Sequence, residues 1–296
     1  MIEPRWVDPG SPEWPARLRH LESPPRGLWQ LGSIGATTPA VAIVGSRRAT
    51  FAGAEIAASI ARELGSAGIQ VVSGMALGID AAAHTGALDA GGSTVAVLGC
   101  GVDVCYPPRH AGLRLRIVAS GCLLTEEPAG TPPFKYNFPK RNRIIAALAD
   151  AVVVVEATER SGALSTARWA ADLGREVLAV PGSIRSRQST GTNLLIRDGA
   201  RPFLAIADLF EAVPELRSAA PTTGLDALSA KAGSGLERFS PPLREILARM
   251  GTQPVHPDQV GLALGLSPAL VASRLGALEL AGAVMSLPGG LVARTV

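Results

Sequence analysis

A short stretch of the sequence, residues 134–143, interleaves basic and aromatic side chains. Its four cations and three aromatic rings are, in order, Phe134, Lys135, Tyr136, Phe138, Lys140, Arg141 and Arg143. Cations bind phosphates, and aromatic rings stack on the faces of unpaired bases. The stretch therefore favours a contact with single-stranded nucleic acid, because a duplex hides its base faces. The alternative is a solvated basic loop whose rings pack inward.

Three glycine turns could bind phosphate beside this stretch. They are Gly45-Ser46-Arg47, Ser73-Gly74 and Ser161-Gly162, and a helical pattern follows each of them. Backbone N–H groups at the start of a helix, small hydroxyls and a basic side chain are all suited to phosphate. The alternative is that these turns are only tight connections and helix caps. We expect Arg47 and its neighbour Arg48 to extend the basic surface.

No arrangement of residues predicts catalysis, a metal site or a cofactor. The dinucleotide fingerprint GxGxxG is interrupted after Gly45 and lacks its third glycine after Gly99-Cys100-Gly101, so NAD binding is not expected. Asp80 and His84, four residues apart on a predicted helix, could form an acid–base pair, but a structural ion pair or a helix cap is the favoured interpretation. The cysteines and histidines have no metal-ligand spacing.

The elements between residues 39 and 212 explain why the glycine turns should meet. Short apolar runs, such as residues 41–44 and 151–155, alternate with helical patterns such as residues 51–64. This alternation predicts an α/β fold with a doubly wound, mostly parallel sheet. Since βαβ crossovers are right-handed, the turns after the strands lie on the carboxyl edge, where open α/β sheets bind ligands.

Composition divides the rest of the chain. Residues 1–38, rich in Pro and Trp, are predicted to be an N-terminal extension that packs on the main domain of residues 39–212. Residues 213–238 show little periodicity and predict a flexible linker. Residues 239–296 predict three helices and a β-hairpin, a small C-terminal winged-helix domain. Its four arginines and three acids give a net charge of +1, which favours a protein contact over duplex DNA.

The overall composition limits the classes of protein that fit. The chain has 296 residues, of which 47% are hydrophobic and 18% charged, as in globular proteins. Its net charge of +3 is too small to predict a nucleic-acid partner without the local clusters. No apolar run reaches the roughly 18 residues of a membrane span, and the N-terminus lacks the pattern of a signal peptide. A cytoplasmic location is therefore expected.

Several stretches together resemble the DprA/Smf family, the DNA-processing protein A of bacterial natural transformation. The matching stretches are IVGSR (43–47), SGMALGIDAAAH (73–84), TVAVLGCGVDVCYPP (94–108), FPKRNRIIAALA (138–149), VVEATERSGALSTA (154–167), AVPG (179–182) and GTNLLIRDGA (191–200). The resemblance extends over residues 39–212, and the tail resembles the winged-helix domain of many family members. It implies an extended Rossmann-like domain that forms a homodimer and uses no nucleotide cofactor.

The resemblance also implies a function. Members of the family bind single-stranded DNA without base specificity, displace single-strand-binding protein and load the RecA recombinase onto incoming DNA. The family's DNA-contacting positions map onto Arg47, Lys135 and Phe138. We therefore expect phosphate contacts and a stacking ring from Arg47, Lys135, Lys140, Arg141, Arg143 and Phe138, with backbone donors from Gly45, Ser46, Ser73, Gly74, Ser161 and Gly162.

Two other functions stay open at the level of sequence. A similar pocket occurs in nucleotide-processing proteins such as the nucleoside-monophosphate phosphoribohydrolases, although their PGGxGT signature is interrupted here in PGSIRSRQSTGTN (181–193). A regulator that binds duplex DNA through the winged helix is the other alternative, and the weak charge of residues 239–296 disfavours it. The favoured interpretation is a non-enzymatic single-stranded DNA-binding mediator of recombination.

Overall fold

A nine-stranded sheet forms the centre of the first part of the chain in the computed structural model. The structure describes residues 3–34, 39–219, 239–250, 254–287 and 289–294. The chain divides into two units, Met1–Leu225 and Asp226–Val296. The strands of the first unit are β1 (Arg5–Val7), β2 (Leu28–Gly32), β3 (Ala40–Val44), β4 (Gln70–Ser73), β5 (Thr94–Val97), β6 (Cys122–Thr125), β7 (Ala151–Val154), β8 (Glu176–Ala179) and β9 (Arg201–Pro202).

Helices alternate with these strands, as the sequence predicts. The helices of the first unit are α1 (Phe51–Ser66), α2 (Ile79–Asp89), α3 (Ala111–Ser120), α4 (Asn137–Leu148), α5 (Ala163–Asp172), α6 (Thr190–Arg197), α7 (Ile206–Ala212) and α8 (Pro214–Ala219). Short 3-10 turns cover Ala16–His20, Pro108–His110 and Arg187–Ser189. The predicted mostly parallel α/β fold is confirmed.

The order of the strands places a cleft in the middle of the sheet. The order is β1-β2-β6-β5-β4-β3-β7-β8-β9, and every pair from β6 to β9 is parallel. The chain winds outwards from β3 to β6 on one side and from β7 to β9 on the other. The direction of winding therefore changes between β3 and β7, and the crevice at the carboxyl ends of such strands is where open α/β sheets bind ligands.

Complete burial explains why the central strands read as continuous apolar runs. Every residue of β3, β4 and β7 is buried, as expected for parallel strands that have helices on both faces. One face of the sheet packs against α4 and α5, through residues such as Ile144 and Ala167. The strands that carry the glycine turns are thus the most rigidly held part of the sheet.

The N-terminal extension is part of the sheet. Strand β2 pairs antiparallel with β6, and β1 pairs with β2. Arg17 fixes the intervening segment, because its guanidinium donates to the Leu148 carbonyl and to the Asp150 carboxylate, each at 2.9 Å. The Asp150 carboxylate also accepts the backbone N–H of Ala40 at 2.9 Å. The extension is therefore tied to the start of β3 and to the end of α4.

The structure differs from the sequence-based expectation at two places. Helix α4 begins at Asn137, whereas the sequence predicts a loop up to residue 142 because of its prolines. Pro139 is the third residue of the helix, where its missing N–H would have had no partner in the helix in any case. The segment predicted as a linker starts with helix α8, whose Leu216 is buried; residues 220–238 lie outside the described residues.

The second unit has the predicted winged-helix elements. They are α9 (Pro241–Arg249), α10 (Pro257–Leu264), α11 (Pro268–Leu280), β10 (Val284–Leu287) and β11 (Leu291–Arg294). The two strands pair antiparallel, and Ile246, Val271 and Leu278 belong to one buried cluster. In the described part of the chain, no single helix is long and apolar enough to cross a membrane; α10 and α11, bent by 115°, pass this test only as a pair.

Candidate nucleic-acid interface

A cavity of about 850 Å³ opens at the carboxyl ends of β3 and β7. Six segments line it: the turn after β3, the turn after β4 with the start of α2, the loop after β5, the start of α4 with the loop before it, the turn after β7, and the loop after β8. Its polar and aromatic lining includes Ser46, Arg47, Arg48, Asp80, Tyr106, Lys135, Phe138, Arg141, Asn142, Thr158, Ser161, Thr166, Arg187 and Gln188, with Gly45 and Gly162. The crevice expected from the change in winding is therefore a real cavity.

The turn after β3 is held from both sides. The backbone N–H of Ser46 donates to the Glu156 carbonyl at 2.7 Å, and the Ser46 carbonyl accepts the N–H of Ile79 at 3.2 Å. Gly78 has φ +78°, and a Cβ there would lie 2.3 Å from the Ser46 carbonyl oxygen. Position 78 therefore requires glycine, because of both its positive φ and the close approach of the Ser46 carbonyl oxygen. This packing fixes the direction in which Arg47 leaves the turn.

The free charge in the cavity is positive. Arg47, Arg48, Lys135 and Arg187 are all exposed, and none of them makes an ion pair with a described residue. Among the described lining residues the one acid is Asp80, which is buried. Four unneutralised cations around one concave site raise the local concentration of anions such as phosphates.

Phe138 is the aromatic centre of the cavity. The Arg47 guanidinium carbon lies 4.9 Å from its ring centroid, and that of Arg141 lies at 6.0 Å. The Tyr106 ring is 5.7 Å away and tilted by 42°. The Arg47 guanidinium therefore covers one face of the Phe138 ring in a cation–π contact, and stacking of a base on that face stays a prediction. A base that stacks on Phe138 takes the place of this guanidinium.

A buried polar network holds the turn after β4. Asp80 accepts the N–H groups of Gly74 and Ala76 at 3.2 and 3.3 Å, and His84 Nε2 accepts the N–H of Met75 at 3.2 Å. Arg141 donates to the Gly74 carbonyl at 2.8 Å. Met75 has φ +53° although it is not a glycine. Asp80 and His84 thus bind the backbone of this turn and not each other: their role is structural, but it is neither the ion pair nor the helix cap that the sequence favours.

The titration of His84 follows from this network. Burial first, and then the charge of Arg141, lower the pKa of His84 to about 3 from the usual 6.5. Between these two pH values the unfolded chain binds a proton that the folded chain does not. The stability that depends on neutral His84 is therefore present above pH 6.5 and falls as the pH drops, by up to about 1.4 kcal/mol per pH unit.

We expect replacement of His84 with glutamine to reduce this pH dependence. Glutamine keeps an acceptor for the Met75 N–H but does not titrate. The measurement is the urea midpoint at pH 7 and pH 5 for both proteins; wild type should lose more stability than His84→Gln. Burial raises the pKa of Asp80 and acts in the opposite direction, but it does so in both proteins. Equal pH dependence of the two would exclude His84 as the cause.

Four of the predicted site residues do not line the cavity: Lys140, Arg143, Ser73 and Gly74. Lys140 pairs with Glu127 at 3.1 Å and with Glu126 at 3.9 Å, and Arg143 pairs with Glu126 at 2.6 Å. Ser73 is completely buried and donates to a backbone carbonyl. For Lys140 and Arg143 the reason is that α4 is already helical there: residues three apart share a face, so these two point away from the face of Phe138 and Arg141.

Arg141 and Gly74 have other roles than the sequence predicts. Arg141 touches the cavity, but its guanidinium is buried and bonded to the Gly74 and Val97 carbonyls, so it positions the turn. Gly74 lines a second, apolar space of about 50 Å³ behind Phe138. The structure does bring together Arg47, Lys135 and Phe138 with the turns Gly45-Ser46 and Ser161-Gly162.

Sequence reasoning missed Tyr106, Arg187 and Gln188, which also line the cavity. Arg187 could have been found, because it follows β8, and loops after parallel strands share one edge of the sheet. Gln188 donates to the Arg48 carbonyl at 2.9 Å, and its buried side-chain oxygen has no partner among the described residues. It thus links the loop after β8 to the turn after β3.

A doubly wound sheet with a basic cavity at its change of winding defines a Rossmann-like protein of the type that binds phosphate-bearing ligands. Comparison with known proteins identifies the family. The model of DNA recombination-mediator protein A matches residues 5–214, and that of the DprA winged helix domain matches residues 217–290. The chain belongs to the DNA recombination-mediator protein A family.

Individual relatives agree with this assignment. The putative DNA processing protein DprA of Mycobacterium tuberculosis is 40% identical over 293 residues, which cover 94% of this chain and 74% of the relative. The structure of DprA from Streptococcus pneumoniae matches with 37% identity and a TM-score of 0.65, over 70% of this chain and 73% of that one. DprA from Helicobacter pylori matches with 29% identity and a TM-score of 0.65, over 72% and 97%.

Proposed function

We propose that this protein is a non-enzymatic mediator of recombination that binds single-stranded DNA in the cavity between β3 and β7. The observation that carries the proposal is the meeting of Arg47, Lys135 and Phe138 in one concave site, where the one acid among the described lining residues, Asp80, is buried and bonded to backbone N–H groups. Cations of this kind bind phosphates and rings stack on bases. The related protein from Helicobacter pylori has a described single-stranded DNA binding mode, which supports the same ligand here.

The shape of the site favours a single strand over a duplex. Phe138 and Tyr106 are at the wall of a cavity, not on a protruding surface. A base can reach these rings only when it is unpaired and turned out of its stack. Contacts of Arg47 and Lys135 with phosphates, and of rings with base faces, carry no sequence information, so binding is expected without strong sequence preference.

The remaining steps of the function are proposed from the family. In the cytoplasm the protein would coat and protect incoming DNA as a homodimer, displace single-strand-binding protein and load RecA during natural transformation. The test measures the DNA-dependent ATPase of RecA on single-stranded DNA coated with single-strand-binding protein. Wild type should shorten the lag before ATP hydrolysis, and a variant with both Arg47→Ala and Lys135→Ala should not. A lag that is equally short with the variant would show that RecA loading does not depend on this cavity.

The enzyme alternative is not favoured by the lining of the cavity. A phosphoribohydrolase-type reaction needs a group that stabilises or attacks the sugar cation or activates water, usually a carboxylate. The acid among the described lining residues, Asp80, is buried and accepts two backbone N–H groups. Duplex recognition by the winged helix is not favoured either, because α11 exposes Ala269, Leu270 and Ala272 where base-reading helices carry polar side chains.

A further inference from the structure

A stacked pair of aromatic rings lies at the rim of the cavity and has no role in the site described so far. The rings of Phe134 and Tyr136 are nearly parallel, with 6° between their planes and 5.5 Å between their centroids. Phe134 is 44% exposed and Tyr136 69% exposed. Aromatic rings that are exposed in pairs on a nucleic-acid-binding surface can serve as stacking faces for bases.

The backbone explains how the pair is held. Residues 134–137 form a turn in which the N–H of Asn137 donates to the Phe134 carbonyl at 3.1 Å. Helix α4 starts at Asn137, so the turn is anchored directly on a rigid element. Phe134 contacts the Tyr136 ring in an offset parallel arrangement, and 69% of Tyr136 stays exposed. The ring is thus fixed in advance, which lowers the entropy lost when a flat ligand stacks on it.

The position of the pair connects it to the cavity. Lys135 lies between the two rings in the chain and lines the cavity, together with Pro133 and Phe138, whereas neither Phe134 nor Tyr136 belongs to the lining. A strand whose phosphate binds Lys135 therefore leaves the cavity beside the two rings. The hydroxyl of Tyr136 has no hydrogen-bond partner among the described residues, so the turn and the contact with Phe134 hold the ring without it.

We infer that Phe134 and Tyr136 form an outer stacking platform for a second base of the bound strand, next to the nucleotide in the cavity. The inference rests on the proposed function, because it requires a single strand in the cavity. It makes the site a two-base site in which Phe138 and Tyr136 contact different nucleotides. Since every base has a π-face, the platform accepts any base.

The test compares Tyr136→Ala with wild type by fluorescence anisotropy on labelled oligo-dT. Loss of one base–ring stack should weaken binding about tenfold, with the dependence on salt unchanged because no charge is lost. Tyr136→Phe keeps the ring and should bind within about twofold of wild type. Leu115→Ala removes a side chain that is 67% exposed on α3 and serves as the control for loss of an exposed apolar residue.

An abasic oligonucleotide of the same length separates stacking from other effects. It keeps the phosphates but has no bases, so wild type and Tyr136→Ala should bind it equally. Tyr136→Ala binding to oligo-dT as tightly as wild type, or losing the same factor on both ligands, would overturn the platform. If wild type itself fails to bind oligo-dT, the proposed function fails first; if Lys135→Ala weakens binding and Tyr136→Ala does not, only the platform fails.

Discussion

Replacing Arg141 with leucine is expected to destabilise the first unit by about 3–5 kcal/mol, since it removes one partner of a buried ion pair. Arg141 is 6% exposed. Its guanidinium donates to the carbonyls of Gly74 and Val97 and lies 4.0 Å from the Asp80 carboxylate. Burial lowers the pKa of Arg141 to about 10, so it is still charged at pH 7. Leucine leaves Asp80 and two carbonyls buried without this partner.

Urea unfolding at pH 7 measures this effect. The midpoint of Arg141→Leu should fall strongly while the slope with urea stays that of wild type. Arg168→Leu is the matched control, because Arg168 is exposed on α5 and surface changes are usually within about 0.5 kcal/mol. Equal midpoints for Arg141→Leu and Arg168→Leu would show that the network around the turn after β4 does not stabilise the fold.

The second large effect is expected on DNA affinity. Arg47→Ala and Lys135→Ala should each weaken binding to oligo-dT by about tenfold or more, since each removes a charge-assisted contact with a phosphate. Each should also lower the slope of log affinity against log salt by about 0.7, the value for one phosphate on a single strand. Arg47→Ala further uncovers the Phe138 ring, because the guanidinium at 4.9 Å is lost.

Lys140→Ala is the matched control for these variants. Lys140 lies on α4 close to Lys135 in sequence, but its ammonium is paired with Glu127 at 3.1 Å and it does not line the cavity. We expect its loss to change both affinity and salt slope little. A salt slope that falls as much in Lys140→Ala as in Lys135→Ala would place the strand along the other face of α4.

The fold was largely predictable because its central strands are buried on both faces. Runs such as residues 41–44 and 151–155 are apolar throughout, and glycine turns and helical patterns follow them, so strands β3 and β7 could be placed to within one residue. The winged helix was predictable because a proline opens each of its helices and Pro-Gly-Gly separates its two apolar strands. The strand order was not, because parallel pairing depends on contacts between distant strands that leave no pattern in the sequence.

The site could be predicted only in part. Arg47, Lys135 and Phe138 were predicted from their types, their spacing and the family resemblance, and the structure brings these three residues into one cavity. The directions in which Lys140 and Arg143 point could not be predicted, because Pro139 made the start of α4 read as a loop. Only in a helix do these two side chains lie on a different face from Phe138. The burial of Arg141 could not be predicted from the sequence either, since its partners Gly74 and Val97 lie on other elements.

The most direct test of the central claim is a competition between single-stranded and duplex DNA for the full-length protein. Labelled oligo-dT is bound near physiological salt, then displaced by unlabelled oligo-dT or by a duplex of the same length, and the titration is repeated with Lys135→Ala. The account predicts that the single strand displaces the label at a much lower concentration than the duplex, and that Lys135→Ala binds the label weakly. Displacement by the duplex at the same concentration, or unchanged binding by Lys135→Ala, would contradict a single-strand site in this cavity.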